Sequence, residues 1–386
     1  MSAPEIPLNP KMLAWARKTA AATVEQAASR AGVDVARVTE WESGAGKPTL
    51  VQLRKLADLY KRPLAMFFLN ELPVDFTIMK AFRRLPGSDD LALSYELTSQ
   101  LRESLQRREV ALTLADAIGQ DVPVFDGRAH LTDAPAKVAA EWRDRLGITA
   151  EGQRAWGDDY AAFRAWRTAI EDLGVLTFQT TRVSTDEMRG LSMFEKKYPV
   201  VLLNGGDAVR ARIFTLAHEL GHLLLRSTVS KDSNEVLESS SKEEVWCNAF
   251  AGALVAPEPL VTLVPRKTSP EAFDWAALKS QANALTVSQD VVLRRLLDLG
   301  RLTRKEYEAL RKRLATQNQS RAPGGPIPQD ALVVSRLGLP FTRMVVIAYR
   351  QAQITLNDLS DYLGVRVTYL PKIEARVFGD EAGAYA

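Results

Sequence analysis

The run RIFTLAHELGHLLLR, Arg212 to Arg226, constrains this chain more than any other stretch of it. Two of the chain's three histidines, His218 and His222, stand four residues apart inside an otherwise apolar, helix-forming segment. An α-helix turns once in about 3.6 residues, so the two imidazoles share a face and can aim at one point. Leu216, Ala217, Leu220, Leu223, Leu224 and Leu225 leave the segment almost no polar side, which predicts a buried helix. Two imidazoles and a carboxylate buried there without partners would cost on the order of several kcal/mol, and a shared metal ion supplies the partners. Glu219, in the H-E-x-x-H order, projects beside the pair and suits a general base acting on water at that metal.

Catalytic zinc takes three protein ligands and leaves a position for water, so a third ligand is required. It is sought in SKEEVWCNAFAGALVAPE, where Cys247, Phe250, Ala251 and Leu254 can face a core while Glu244 and Asn248 share another face. Glu244 is the predicted ligand, because Glu243 is rotated roughly 100° around the helix. Asn248, one turn on, could accept a hydrogen bond from a ligand histidine and fix its tautomer. The lone cysteine, Cys247, excludes multi-cysteine zinc sites and an internal disulfide, and its phase points it into the core rather than to the metal.

The two segments RIFTLAHELGH and EEVWCNAFAGALVAP together resemble the ImmA/IrrE family of metallopeptidases. The resemblance implies a thermolysin-like (gluzincin-type) domain with one Zn²⁺ per chain, His218, His222 and Glu244 as its ligands, Glu219 as the base, and hydrolysis of a peptide bond in a protein substrate. It also implies that GLSMFEKKYPVVLLN is a β-hairpin whose edge strand lies beside the cleft. His130, the remaining histidine, and Tyr198, near that strand, are candidates for stabilising an oxyanion, although a surface or packing role is the simpler reading of each.

With 386 residues the chain is long enough for two or three domains, and the pattern is α+β, mostly helical. Short helical segments broken by Gly32, Gly44, Gly46 and Pro48 predict an all-α module over 1–75. A long helix free of Gly and Pro, from about Leu91 to Ile118, occupies a connecting segment at 76–125. The zinc domain is expected over 126–317, with a small sheet from VLTFQT, RGLSMFE and YPVVLLN. The linker NQSRAPGGPIPQD separates it from a small helical C-terminal domain at 331–386. That tail's ITLNDLSDYLGV looks faintly like half of a helix-turn-helix, though a helical hairpin packed on the zinc domain is the favoured reading. No internal repeat is evident.

The run from Thr23 to Leu69, with W-E-x-G at Trp41 to Gly44 and P-T-L after it, resembles the XRE-type helix-turn-helix, whose third helix normally enters the major groove. Base readout needs polar side chains at the start of that helix, and Asp34, Val35, Ala36 and Glu40 occupy those places. Arg37 and Thr39 could touch bases and Lys47, Arg54 and Lys55 phosphates, opposed by Asp34, Glu40 and Glu42. Docking to protein or homodimerisation competes with DNA binding for this module. A net charge of only +3 requires any DNA contact to be local. The opening residues lack the apolar core of a secretory signal and no segment has the length of a membrane span, so a cytoplasmic location is expected. The resemblance to the ImmA/IrrE family thus implies a regulatory zinc endopeptidase acting on a partner protein, with a repressor or a toxin-antitoxin or phage regulator as the kind of target. The alternative is a DNA-binding or antitoxin-like regulator whose zinc domain binds or senses without cutting.

Overall fold

A computed structural model describes residues 8–60, 62, 64–68, 94–226, 236–265, 267–317 and 328–379. The start of the expected connecting segment and most of the expected linker lie outside the described residues. The chain divides into two compact units, 1–106 and 107–386.

In the first unit four helices, α1 (Pro10–Thr19), α2 (Val24–Ala31), α3 (Val35–Ser43) and α4 (Leu50–Tyr60), enclose a core of Met12, Leu13, Ala27, Val38, Trp41, Leu53 and Tyr60. Thr23 and Gln26 form a capping box that starts α2, and Gly32 ends it in the left-handed conformation at φ 74°. Arg17 of α1 reaches Glu42 of α3 at 2.6 Å, a part-buried ion pair.

Helix α5 (Tyr95–Ala117) leads into the second unit, which continues with α6 (Pro135–Arg145), α7 (Ala150–Ala155) and α8 (Asp159–Glu171). Three strands follow, β1 (Leu176–Thr180), β2 (Gly190–Met193) and β3 (Val200–Asn204), in the order β1-β3-β2. β1 is parallel to β3, with Leu176 beside Val200, while β2 is antiparallel, with Gly190 beside Leu203. β1 and β3 are buried at every position because both faces are covered, and β2 is half-exposed, as an edge strand should be.

Helices α9 (Val209–Leu225) and α10 (Val236–Val255) pack against each other through the main core, with Leu216, Leu220 and Leu223 meeting Phe250, Ala251 and Leu254. The C-terminal end of α10 is anchored by buried polar groups that satisfy its free carbonyls. Arg143 donates to Leu254 O at 2.7 Å, Gln153 to Val255 O at 2.8 Å and Arg295 to Ala256 O at 2.9 Å. Helices α11 (Trp275–Leu285), α12 (Gln289–Asp298) and α13 (Arg304–Gln317) complete that side.

The tail forms α14 (Gln329–Leu337), α15 (Leu339–Arg350), α16 (Leu356–Leu363) and α17 (Leu370–Phe378), which belong to the second unit. They cover β1, with Phe341 edge-on to Phe178 at 5.9 Å. A buried ion pair, Arg167 to Glu171 at 2.7 Å, holds them at the junction of α14 and α15. Arg167 donates to Ser335 O at 2.6 Å, near the end of α14, and Glu171 accepts from the backbone of Leu339, which opens α15. One charge satisfies helix-end carbonyls and the other a helix-start N–H, each with the favourable dipole sign. Among the described residues no single helix is long and apolar enough to cross a membrane.

Candidate metal centre

Helix α9 carries His218, Glu219 and His222, and α10 carries Glu244. The two helices approach closely at Gly221, where a Cβ would stand 3.2 Å from both Cys247 Sγ and the Phe250 ring. That close fit brings the Glu244 carboxylate over the histidine face. His218 Nε2 and His222 Nε2 are 3.1 Å apart, His218 Nε2 is 3.3 Å from Glu244 Oε2, and His222 Nε2 is 3.2 Å from Glu244 Oε1.

Tetrahedral zinc with ligand bonds of ~2.0–2.1 Å keeps neighbouring ligand atoms about 3.3 Å apart, close to the spacing of the two imidazole nitrogens and of each from one Glu244 oxygen. They form the single group of three or more metal-ligating side chains among the described residues. The electrostatics agree. Burial opposes ionisation of Glu244, yet its hydrogen bonds to both imidazoles hold its carboxyl well below the usual carboxylate range. Burial also opposes charge on His222, but contact with Cys247, the hydrogen bond to Glu244 and the nearby Glu219 raise it to about 11. Without a metal, the cluster retains a proton where its geometry offers a place for a cation.

Glu219 is buried, and the strand beside it is why. A Cβ at Gly190 of β2 would lie 2.2 Å from Thr215 Cγ2 and 3.1 Å from Glu219 Oε1. Only glycine lets this edge strand come so near α9, and the approach sets the Glu219 carboxyl at the edge of the sheet. Glycine in a strand marks such a close approach of another element.

Other nominated residues stand apart from the ligand cluster. Asn248 lies on α10, one turn beyond Glu244, and is half-buried. Cys247 is wholly buried, packs against Gly221 and touches His222, and lies outside the ligand group. His130 is exposed, and its backbone N–H donates to Asp133. Tyr198 is buried with φ 52° and its hydroxyl has no partner among the described residues. Trp246, one turn from Glu243, stacks on Phe250 and donates its indole N–H to Asp133 O at 2.8 Å, a brace on α10 with no local sequence signal.

In the first unit Arg37, Thr39, Lys47, Arg54 and Lys55 are all exposed. Arg37 is paired with Glu40 at 2.8 Å, and the Thr39 hydroxyl donates to Val35 O on its own helix.

An H-E-x-x-H helix facing a glutamate on the next helix, beside a small sheet, is an arrangement that could hold a metal ion. Residues 170–297 match the IrrE N-terminal-like domain of peptidase family M78, and residues 12–67 match a helix-turn-helix domain. One part of the chain is thus similar to the IrrE-type peptidase-family domain and another part to a helix-turn-helix domain. A 94-residue stretch is 30% identical to the radiation response metalloprotease IrrE of Deinococcus radiodurans, covering 23% of this chain and 29% of that relative's length.

Proposed function

We infer that the chain is a zinc-dependent endopeptidase with a regulatory role, hydrolysing a peptide bond in a partner protein. The observation that carries this reading is the convergence of His218, His222 and Glu244 at 3.1–3.3 Å with the Glu219 carboxylate on the same helix. The D. radiodurans relative is a radiation response metalloprotease, and its likeness to part of this chain supports both the chemistry and the regulatory setting. His218, His222 and Glu244 would hold the zinc, which when bound supplies a Lewis acid for water and for the scissile carbonyl.

Glu219 takes the proton of the attacking water and delivers it to the leaving nitrogen as the C–N bond breaks. Its burial against Gly190 keeps the carboxylate in one orientation through both transfers. Strand β2 is an edge strand among the described residues, and an extended substrate segment paired to it would pass Glu219. The helix-turn-helix unit selects location or partner.

Glu219→Gln keeps size and hydrogen bonding while removing the base. The expected outcome is full zinc content, an unchanged fold and a loss of cleavage of roughly 10²–10⁴-fold. Equal biological activity of the wild type and Glu219→Gln would instead favour a regulator that binds without cutting.

A further inference from the structure

The geometry of the first unit recurs at the far end of the chain. Thr355 and Asp358 form a capping box at the start of α16, as Thr23 and Gln26 do for α2. Helix α16 ends at Gly364 with φ 62° and ψ 40°, and α2 ends at Gly32 with φ 74° and ψ 45°, each at the same interval from its capping threonine. The residue that opens the next helical segment is extended in both, Arg366 at φ −69° and ψ 142°, Asp34 at φ −74° and ψ 154°.

The correspondence extends to sequence and to buried positions. Gly32-Val33-Asp34-Val35 stands against Gly364-Val365-Arg366-Val367, and the buried Trp41 against the buried Ile373. Arg17 pairs with Glu42 at 2.6 Å to tie the first helix of the module to its third, and Arg350 of α15 pairs with Glu374 of α17 at 2.9 Å in the same way. Helices α15, α16 and α17, with a 3-10 turn (Val367–Tyr369) ahead of α17, thus repeat the cap, turn and ion-pair pattern of α1–α3, of which ITLNDLSDYLGV alone showed a faint half in the sequence. The sequence hides it because the two copies share only turn, cap and ion-pair positions.

The outward faces of the two copies differ in charge. Asp34, Ala36 and Glu40 of the first correspond to Arg366, Thr368 and Lys372 of the second, and these last three are exposed. Glu374, the acid of α17, is in the internal ion pair with Arg350. Arg366 and Lys372 make no ion pair among the described residues, although Lys372 lies near the Asp330 carboxylate that Arg376 holds. The opposing exposed acid is Asp361, on α16.

We propose that this C-terminal helix-turn-helix is a duplex-DNA-binding surface, with Arg366 and Lys372 contacting phosphates and Thr368 at the groove. In the first unit the corresponding positions are acidic and Arg37 is held by Glu40. Basic side chains at the start of the third helix are what the docking geometry of such a module requires.

The test is a fluorescence-anisotropy titration of the full chain against a fluorescein-labelled, mixed-sequence duplex of ~25 base pairs over roughly 50–200 mM salt. The expected result is salt-dependent binding that Arg366→Glu/Lys372→Glu weakens about tenfold or more at the lowest salt. Loss of two phosphate contacts in Arg366→Gln/Lys372→Gln should make the log–log salt slope shallower by about 1.8. Both residues are exposed, and the milder glutamine pair, checked by circular dichroism, covers the case in which charge reversal disturbs folding. Lys47→Glu/Lys55→Glu is titrated alongside. Absence of wild-type binding at the lowest salt, leaving this surface to a protein partner, would overturn the proposal. So would loss of binding confined to the Lys47/Lys55 variant. Neither outcome bears on the peptidase reading, since Glu219 takes no part in the measurement.

Discussion

At the residue scale the metal-free cluster behaves as a proton-filled cation site. Glu244 stays ionised well below the usual carboxylate range and His222 retains a proton up to about 11. Zinc binds the neutral imidazole, so near neutral pH it must displace that proton. Apparent zinc affinity should accordingly rise with pH and fall as protons compete. Titration calorimetry at pH 7 in buffers of differing ionisation enthalpy should show about one proton released per zinc bound. Heats independent of the buffer would contradict this electrostatic picture. The i, i+4 spacing of His218 and His222 and the helix phase of Glu244 are legible in the sequence, and the structure brings these three side chains together. The contact between Cys247 and His222 was not legible, because it depends on where two helices cross rather than on either one's periodicity.

The elements that position the cluster depend on close approaches at two glycines. Gly221→Ala would push a methyl group against Cys247 and Phe250 at 3.2 Å. Opening the α9–α10 contact should cost about 1–3 kcal/mol and move Glu244 away from the histidines. Thermal denaturation together with zinc affinity checks this, and a variant with wild-type zinc affinity would show that the crossing does not set the ligand geometry. The three strands and the main helices were readable from composition and period. The sheet order was not, since β1 and β3 are equally apolar runs and nothing local says that β2 lies outside them. The pairing of α15–α17 as a repeat of α1–α3 also escaped the sequence, because Leu359, Leu363 and Ile373 fill space that alanines and Trp41 fill in the first copy.

For the whole molecule, the tail helices belong to the second unit, and one reason is a charge pair that sequence distance conceals. Arg167 and Glu171 read as an ordinary i, i+4 surface pair, yet both are buried and bind the junction of α14 and α15. Removing one partner leaves the other charge buried and uncompensated. Arg167→Met should therefore destabilise the second unit by about 3–5 kcal/mol, read as a lower denaturation midpoint in urea, and the double variant Arg167→Met/Glu171→Leu should recover much of the loss. A midpoint unchanged in the single variant would show that the tail is held by its apolar contacts alone.

The central claim is that one zinc ion sits between His218, His222 and Glu244. Elemental analysis of folded protein, purified without chelators and dialysed against zinc, tests it most directly. The account predicts one zinc per chain in the wild type and in Glu219→Gln, and strongly reduced occupancy in Glu244→Ala and in His218→Ala/His222→Ala. Wild-type protein without zinc, or Glu244→Ala with full occupancy, would contradict it.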